Sequence, residues 1–306
     1  MSETVLVTGG AGFIGSHLCE ALVKQGRKVL VLDDLSNGFR ENISPLEAQI
    51  EFIEGSITDN DLVDELVSRA KVVFHMAAIS SVPKTIYEPE IGHSVNATGT
   101  FNIIEACRNS GAHMVYSSSA AVYGDTPEHP KTENSNKEPI SPYAGQKFIG
   151  EIYLQSLAKE GGFAGVSLRY FNVFGPRQRA DSPYSGVISV FSDRAKAGEP
   201  IRIQGDGLQT RDFVSVHDVV RANLLAAEAR HLKGEPFNIA GGTETTIREL
   251  AETIVRITSS NSQIEHIDAR PGDIRYSRAN VSHAKSELGF EAQVSLEEGL
   301  SELLSE

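Results

Sequence analysis

Cysteine is scarce: 306 residues hold only Cys19 and Cys107. Both fall in helix-periodic stretches. They form neither a disulfide framework nor a zinc spacing, so a reducing compartment is expected. No set of His, Cys, Asp and Glu has metal-ligand spacing, and no metal is expected. No apolar run approaches membrane-spanning length. The N-terminal apolar run is short and strand-like, so no signal peptide is expected and the expected location is cytoplasmic. Positive charge is also short, with 28 Lys and Arg against 41 Asp and Glu, a net charge of −13. That balance argues against a nucleic-acid or anionic-membrane surface. It leaves room for an anionic substrate, which needs only a few local arginines. Repeats and low-complexity tracts are missing. The chain does have a hydrophobic fraction of 40%, enough for a sizeable core, and a length that suits one large domain or two intertwined ones.

One stretch organises the rest, TVLVTGGAGFIGSHLCEAL at residues 4–22. Val5-Leu6-Val7 reads as a buried strand. Gly9, Gly12 and Gly15 follow at fixed spacing, and Phe13, Leu18, Ala21 and Leu22 then take up a helical period. Such a turn brings bare N–H groups and a helix N-terminus to one point, which favours an anion such as a pyrophosphate. A side chain at Gly9 or Gly12 would block that approach, and Gly15 lets the helix lie close to the strand. A second strand, Lys28–Leu32, ends in Asp33, placed to hold both hydroxyls of an adenosine ribose. Three glycines alone are a weak sign. Strand, helix and acid together point to a dinucleotide. Asp33-Asp34, with no arginine directly after, would repel a 2′-phosphate, which predicts NAD rather than NADP.

Strands and helices then alternate. Strands are expected at Ile50–Ile53, Val72–His75, His113–Ser117 and Gly165–Arg169. Helices are expected at Asp59–Ser68, Pro89–Asn109 and Ser141–Lys159. Alternation of this kind predicts a doubly wound parallel sheet with helices on both faces, and ligands beyond the carboxyl ends of the strands. From Phe174 to Gly186 the chain reads as a long loop. A helix at Val187–Ala197, a strand at Ile201–Ile203 and a Gly-Asp-Gly turn follow. Phe213–Val216 and the helix His217–Ala229 look like a return to the main sheet. Helical patterns recur at Ile247–Ile257, Val281–Leu288 and Leu296–Leu304. The expected division is a dinucleotide lobe of residues 1–170 plus 212–232 and a smaller α/β substrate lobe of residues 171–211 plus 233–306, with the ligand cleft between them.

Tyr143 and Lys147 lie four residues apart in SPYAGQKFIGE, on one face of the expected helix. An ammonium beside a phenol favours the phenolate, and such a tyrosine can take a proton from a substrate hydroxyl. Tyrosine and lysine also fall four apart by chance on exposed helices. Ser117-Ser118-Ser119 ends the fifth strand, where hydroxyls can hold a substrate, orient the tyrosine, or merely cap the strand. His75 and His217 read as structural, His217 as a helix cap.

At this point the sequence resembles a known family, the extended short-chain dehydrogenase/reductases, and within them the UDP-sugar 4-epimerases. The motifs are TGGAGFIGSHL, LDDLSNG, HMAA, NATGT, YSSSAAVYG, SPYAGQK, LRYFNVFGPRQ, GDG followed by LQTRDFVSVHDV, and RPGDIRYS, in family order from residue 4 to about 290. The resemblance implies a Rossmann-type domain, tightly held NAD, and a UDP-sugar as partner. It implies that Phe13 and Ile14 lie along the pyrophosphate and that Asp33, Asp34, Asn37 and Gly38 surround the adenosine ribose. Ser56, Ile57, Ala77, Ala78, Ser117 and Tyr170 would complete the cofactor wall, with Asn96 supporting it. Tyr143 would be the acid/base, Lys147 would hold the nicotinamide ribose, and Ser119 would contact the substrate hydroxyl. Ser81, Asn172, Val187, Arg211, Arg270 and Asp273 would hold the nucleotide sugar, two arginines suiting a diphosphate. Ser56 departs from the family, which usually has Asp there; a hydroxyl can still donate or accept a hydrogen bond.

The family contains dehydratases, with an Asp-Glu pair after the catalytic Ser/Thr, and decarboxylases, with Glu at the second of those positions. This chain has Ala120-Ala121, and neither can transfer a proton. The resemblance therefore implies 4-epimerisation of UDP-glucose and UDP-galactose. A net oxidoreductase, a UDP-glucuronate epimerase and a non-catalytic NAD-binding regulator stay open. In the family, the residue seven positions after the arginine of the Arg-x-Gly-Asp loop walls the sugar 2-position. Here it is Ser277, small enough to admit N-acetylated sugars. The helices Pro89–Asn109 and Ser141–Lys159 carry more apolar residues than one sheet-facing stripe needs: Ile91, Val95, Phe101, Ile104, Phe148, Ile149, Ile152 and Leu154. The family pairs these helices across a two-fold axis, so a homodimer is expected.

Overall fold

A computed structural model describes residues 3–178, 186–269 and 274–305. The chain opens as β1 (Thr4–Thr8), α1 (Phe13–Lys24), β2 (Lys28–Asp33), β3 (Ile50–Glu54), α2 (Asn60–Ser68) and β4 (Val72–His75). Two short helices follow, α3 (Val82–Tyr87) and α4 (Pro89–His93), then a π-helical stretch at Ser94–Gly99, α5 (Thr100–Ser110) and β5 (His113–Ser119). Next come α6 (Pro142–Glu160), β6 (Gly165–Tyr170), β7 (Asn172–Phe174) and α7 (Val187–Ala197). The remainder is β8 (Ile201–Gln204), β9 (Thr210–Arg211), β10 (Phe213–Ser215), α8 (Val216–Glu228), β11 (Lys233–Ile239), β12 (Thr245–Thr246), α9 (Ile247–Thr258), β13 (Ile264–Ile267), α10 (Ser282–Leu288) and α11 (Leu296–Ser305).

Seven strands form one sheet in the order β11-β6-β5-β4-β1-β2-β3, every pair parallel. Alternate residues of each strand go to opposite faces, so both faces must be covered. Val5, Val7, Val29, Val31 and Phe74 pack with Leu18, Leu22 and Val219 on one face. Leu6, Leu30, Leu32 and Val73 pack with Leu66, Ile103, Ile104 and Leu154 on the other. Strand order reverses between β1 and β4, and the crevice outside their carboxyl ends is where such a sheet takes a ligand. A third cluster, including Phe191, Ile203, Leu250, Ile254 and Leu300, joins α7, β8, α9 and α11. Cys19 and Cys107 are free, buried, and on opposite faces of the sheet. Among the described residues no helix is long and apolar enough to cross a membrane.

The structure corrects four sequence expectations. Residues 213–216 do not return to the main sheet: β10 pairs with β7 in a separate two-stranded sheet. The seventh strand is β11, beside β6, in a segment assigned to the second lobe. Gly234 (φ +87°) and Pro236 interrupt its apolar pattern, and an edge position tolerates both. The helix expected at Pro89–Asn109 is interrupted by the π stretch, which is preceded by the unexpected α3. Ile104 and Leu154, counted as surplus apolar residues, are fully buried against the sheet, whereas Ile91, Phe101 and Ile152 are exposed.

Candidate active site

A cleft of about 650 Å³ runs along the carboxyl ends of β1, β2, β4, β5 and β6. Its floor is the turn after β1. Gly9 sits at φ +70°, and a Cβ there would lie 2.6 Å from the Ala77 nitrogen. A Cβ on Gly15 would lie 2.1 Å from the Gly9 carbonyl oxygen. These two glycines are thus required by packing of the turn on β4 and α1, before any ligand is considered. Gly12 is the N-cap of α1 and supplies no side-chain cap, and the first turn carries no acid. The N–H groups at Phe13 and Ile14 therefore open into the cleft with the helix dipole behind them.

Asp33 closes one end of the cleft. Its Oδ2 accepts from the Ala11 N–H at 2.9 Å and its Oδ1 from the Leu35 N–H at 2.9 Å. Burial nevertheless raises its pKa. Two bonds leave acceptor capacity on both oxygens for a vicinal diol. Asp34 holds Ser36 through the Ser36 N–H (3.0 Å), and Asn37 and Gly38 continue the wall. Ser56 and Ile57 line the far side, the Ser56 hydroxyl lying 2.9 Å from that of Thr58. Ala77, Ala78 and Ser81 form the opposite rim. Asn96 is not in the wall. It sits behind it, accepting from the Ile79 N–H (2.8 Å) and donating to the Ile79 carbonyl (3.0 Å) and Gln146 (2.9 Å). The π stretch that carries Asn96 thus pins the rim, and π segments recur where a helix must present a side chain out of register.

At the other end Tyr143 and Lys147 rise from α6, whose N-cap Ser141 accepts from the Ala144 N–H. Lys147 is 2% exposed and donates to the Ser117 carbonyl at 2.7 Å. Burial drives its pKa down to about 7. Tyr143 is pushed up by burial, and a hydrogen bond with Ser119 opposes that rise. The expected lowering of the phenol by Lys147 is therefore not what dominates here: desolvation against the cleft wall does, for the half-buried tyrosine as for the buried lysine. Ser119 Oγ also accepts from the Ala121 N–H at 3.2 Å. Tyr170 lines the cleft with its ring while its hydroxyl donates to Asn223 at 3.0 Å. His75 is structural: it lies between Thr8 (2.7 Å) and Thr100 (3.0 Å), with its pKa depressed to about 3 by burial. His217 does not cap α8; Ser215 does, and the His217 ring meets Glu302 at 3.0 Å.

The second-lobe expectations fare differently. Asn172, Val187, Arg211 and Ser277 stand outside the cleft wall. Arg211 donates to the carbonyls of Thr210 and Ile274, both at 2.7 Å. Arg270 and Asp273 lie outside the described residues. The Ser277 N–H reaches Thr210 Oγ1 at 3.4 Å, while Tyr276 is exposed with its ring 5.8 Å from that of His129. Arg177 and Gln178 are among the wall residues that the sequence reading missed. Arg177, at φ +66°, binds Ser16 (3.2 Å) and Glu20 (2.8 Å) on α1. Gln178 donates to the Val173 carbonyl, and its Oε1 is buried with no partner among the described residues. Both sit in FGPRQ, whose Pro and Arg content signals only a loop.

Bare N–H groups at a helix start, a carboxylate with spare acceptors and, at the opposite end, a buried lysine one turn from a half-buried tyrosine fit a nicotinamide dinucleotide laid along the cleft. Residues 5–240 match the family described as the NAD dependent epimerase/dehydratase family. The chain is 38% identical over 301 residues to the UDP-glucose 4-epimerase of Mycolicibacterium smegmatis, covering 97% of this chain and 96% of that protein. It is 35% identical over 315 residues to the UDP-N-acetyl-alpha-D-glucosaminuronate decarboxylase of Bacillus cytotoxicus, covering 99% and 97%. The solved UDP-N-acetylglucosamine 4-epimerase from Methanobrevibacter ruminantium superposes with a TM-score of 0.95 at 39% identity, over 99% of this chain and 97% of that one.

Proposed function

This chain belongs to the NAD dependent epimerase/dehydratase family, and on that premise we propose that it is a UDP-sugar 4-epimerase. The observation that carries the reading is the composition of the catalytic end. Tyr143, Lys147 and Ser119 line the cleft together, and the turn after Ser119 begins with Ala120 and Ala121. Oxidation and re-reduction of an alcohol need one acid/base, which Tyr143 supplies. Loss of water needs further proton-transferring groups, and two methyl side chains cannot act as such. Decarboxylation in this family goes with a glutamate where Ala121 stands.

Bound NAD⁺ supplies the hydride acceptor, and then the donor, at sugar C4. Tyr143 removes the 4-hydroxyl proton and returns it to the inverted oxygen. Ser119 holds that oxygen in line, and Lys147 holds the cofactor ribose and favours the phenolate. The planar 4-keto sugar turns about its link to the diphosphate and presents its other face. A homodimer in the cytoplasm is part of the same proposal. The deciding experiment incubates the protein separately with UDP-glucose and UDP-N-acetylglucosamine and follows products by NMR. The 4-epimers are expected. Accumulation of NADH with a keto-sugar, or release of carbon dioxide from a uronic acid substrate, would replace this reading.

Ser277 gives the proposal its substrate range. A small side chain there leaves room for an N-acetyl group, and the exposure of Tyr276 favours Ser277 as the inward neighbour. Both UDP-hexoses and their N-acetylated counterparts are expected as substrates. Ser277→Tyr should lose about tenfold or more on the N-acetylated pair while sparing UDP-glucose. Equal losses on both pairs would show that Ser277 is not the gate.

A further inference from the structure

Three consecutive residues at the end of β5 meet three successive turns of α6. Ser119 and Tyr143 line the cleft together, and the Ser119 hydroxyl opposes the rise of the Tyr143 pKa. The Ser117 carbonyl accepts from Lys147 at 2.7 Å. Ser118, between them, donates its hydroxyl to Glu151. The first two contacts hold groups that line the cleft. The third lies one helical turn further on. Glu151 is 5% exposed, and Arg169, 2% exposed, grips it through Nε at 2.9 Å and Nη2 at 2.6 Å. Arg169 stands beside Ser118 in the sheet register. Its Nη1 donates to the Tyr123 hydroxyl at 2.8 Å and to the Glu133 carbonyl at 3.0 Å. Tyr123 in turn donates to Asn238 of β11 at 2.6 Å.

We propose that Ser118, Glu151 and Arg169 form a positioning clamp that fixes α6 along the axis of β5 and so sets Tyr143 against Ser119. The proposal rests on Tyr143 being the acid/base. A buried ion pair is a poor device for stability, since apolar residues of equal size generally serve as well. What it adds is direction. The helix lies so close to β5 that a Cβ on Gly150 would come within 2.5 Å of the Tyr116 hydroxyl. Such packing fixes how near the helix lies but resists sliding only weakly, because apolar attraction is non-directional. A charge-assisted bidentate bond fixes the slide. Slippage of about 1 Å at a reacting group can lower a rate about a hundredfold. The ionisable groups packed round the clamp are Tyr116 from β5, Tyr143 and Lys147 from α6, Tyr123 from the turn after β5, and Glu133 and Lys137 from the loop before α6.

The test is Ser118→Ala, with Ser118→Thr as the variant that keeps the hydroxyl. In Ser118→Ala, kcat should fall about tenfold or more while KM, NAD binding and Tm stay close to the parent's. Ser118→Thr should recover most of the loss. The paired variant Glu151→Met with Arg169→Met removes both charges, should fold, and should show the same kcat-selective loss. A second readout needs no turnover: tyrosinate absorbance of the NAD-bound protein against pH, with Tyr143→Phe subtracted. The Tyr143 ionisation should move up in Ser118→Ala, because the opposing bond from Ser119 weakens. Parental kcat and an unmoved Tyr143 ionisation in the folded variants would overturn the clamp. If the parent turns over no UDP-sugar, the functional reading fails, and the Tyr143 ionisation still decides the clamp.

Discussion

In the proposed reaction Tyr143 acts through a single oxygen. Removing only that oxygen should separate chemistry from binding, because the ring keeps its contacts and Lys147 keeps its bond to Ser117. Tyr143→Phe is expected to lower kcat about a thousandfold while NAD binding and thermal unfolding stay as in the parent. Turnover near the parent's would assign the proton transfer elsewhere. The pair was legible in the sequence because a four-residue spacing on a helix is a local property. Its electrostatics were not. Whether the lysine or burial dominates depends on how deep α6 lies against β5, and that depth is set by residues far away in the chain, Tyr116 and Gly150 among them.

The strand-to-strand junction at Asp212 shows an element held by one side chain. Asp212 is fully buried and accepts from the Gly242 N–H (3.1 Å) and the Ala279 N–H (3.0 Å), tying both segments to the start of β10. Burial, only partly offset by these bonds and by Arg278, raises its pKa from 3.8 to about 7. A carboxyl raised on folding favours the folded state while protonated. Its contribution is fully present below the unfolded pKa of about 4 and is lost as pH rises through about 7. Asp212→Asn cannot titrate. The stability of the parent relative to that variant should therefore fall between about pH 4 and pH 7, by on the order of 1–3 kcal/mol, in urea unfolding followed across that range. A flat difference would mean that Asp212 ionises as an ordinary carboxylate. Elements with an unbroken local pattern, such as β1, β4 and α7, could be read to within a residue or two. The π stretch could not, because its cause is the tertiary contact between Asn96 and Ile79.

At the scale of the molecule, the exposed apolar residues are concentrated on one side. Ile86 and Tyr87 of α3, Ile91 of α4, Phe101 of α5, and Ile152 and Tyr153 of α6 are all exposed, and the Phe101 and Tyr153 rings meet at 5.1 Å across the two helices. A patch of this kind marks an interaction surface, and in the proposed homodimer a second copy covers it. Light scattering at micromolar concentration should give twice the chain mass, and Ile152→Glu should halve it. A monomeric parent would leave the patch without that explanation. The cleft wall was legible where it comes from strand ends of the first lobe. Arg177 was not, because what makes it part of the wall is contact with α1, some 160 residues earlier.

The position of β11 has a consequence for the order in which the protein can be made. The chain leaves the main sheet after Tyr170, builds β7 through α8, and only then lays β11 beside β6. Phe237 and Ile239, both fully buried, emerge from the ribosome after every residue of the catalytic end. Until they arrive, β6 is an open parallel edge that invites pairing with another nascent chain. The last strand of the first lobe is therefore also its seal during synthesis. A chain released after residue 232 should collect in the insoluble fraction although it contains Tyr143, Lys147 and the whole glycine turn. Recovery of that shorter chain as a soluble, NAD-binding protein would show that the edge needs no such closure.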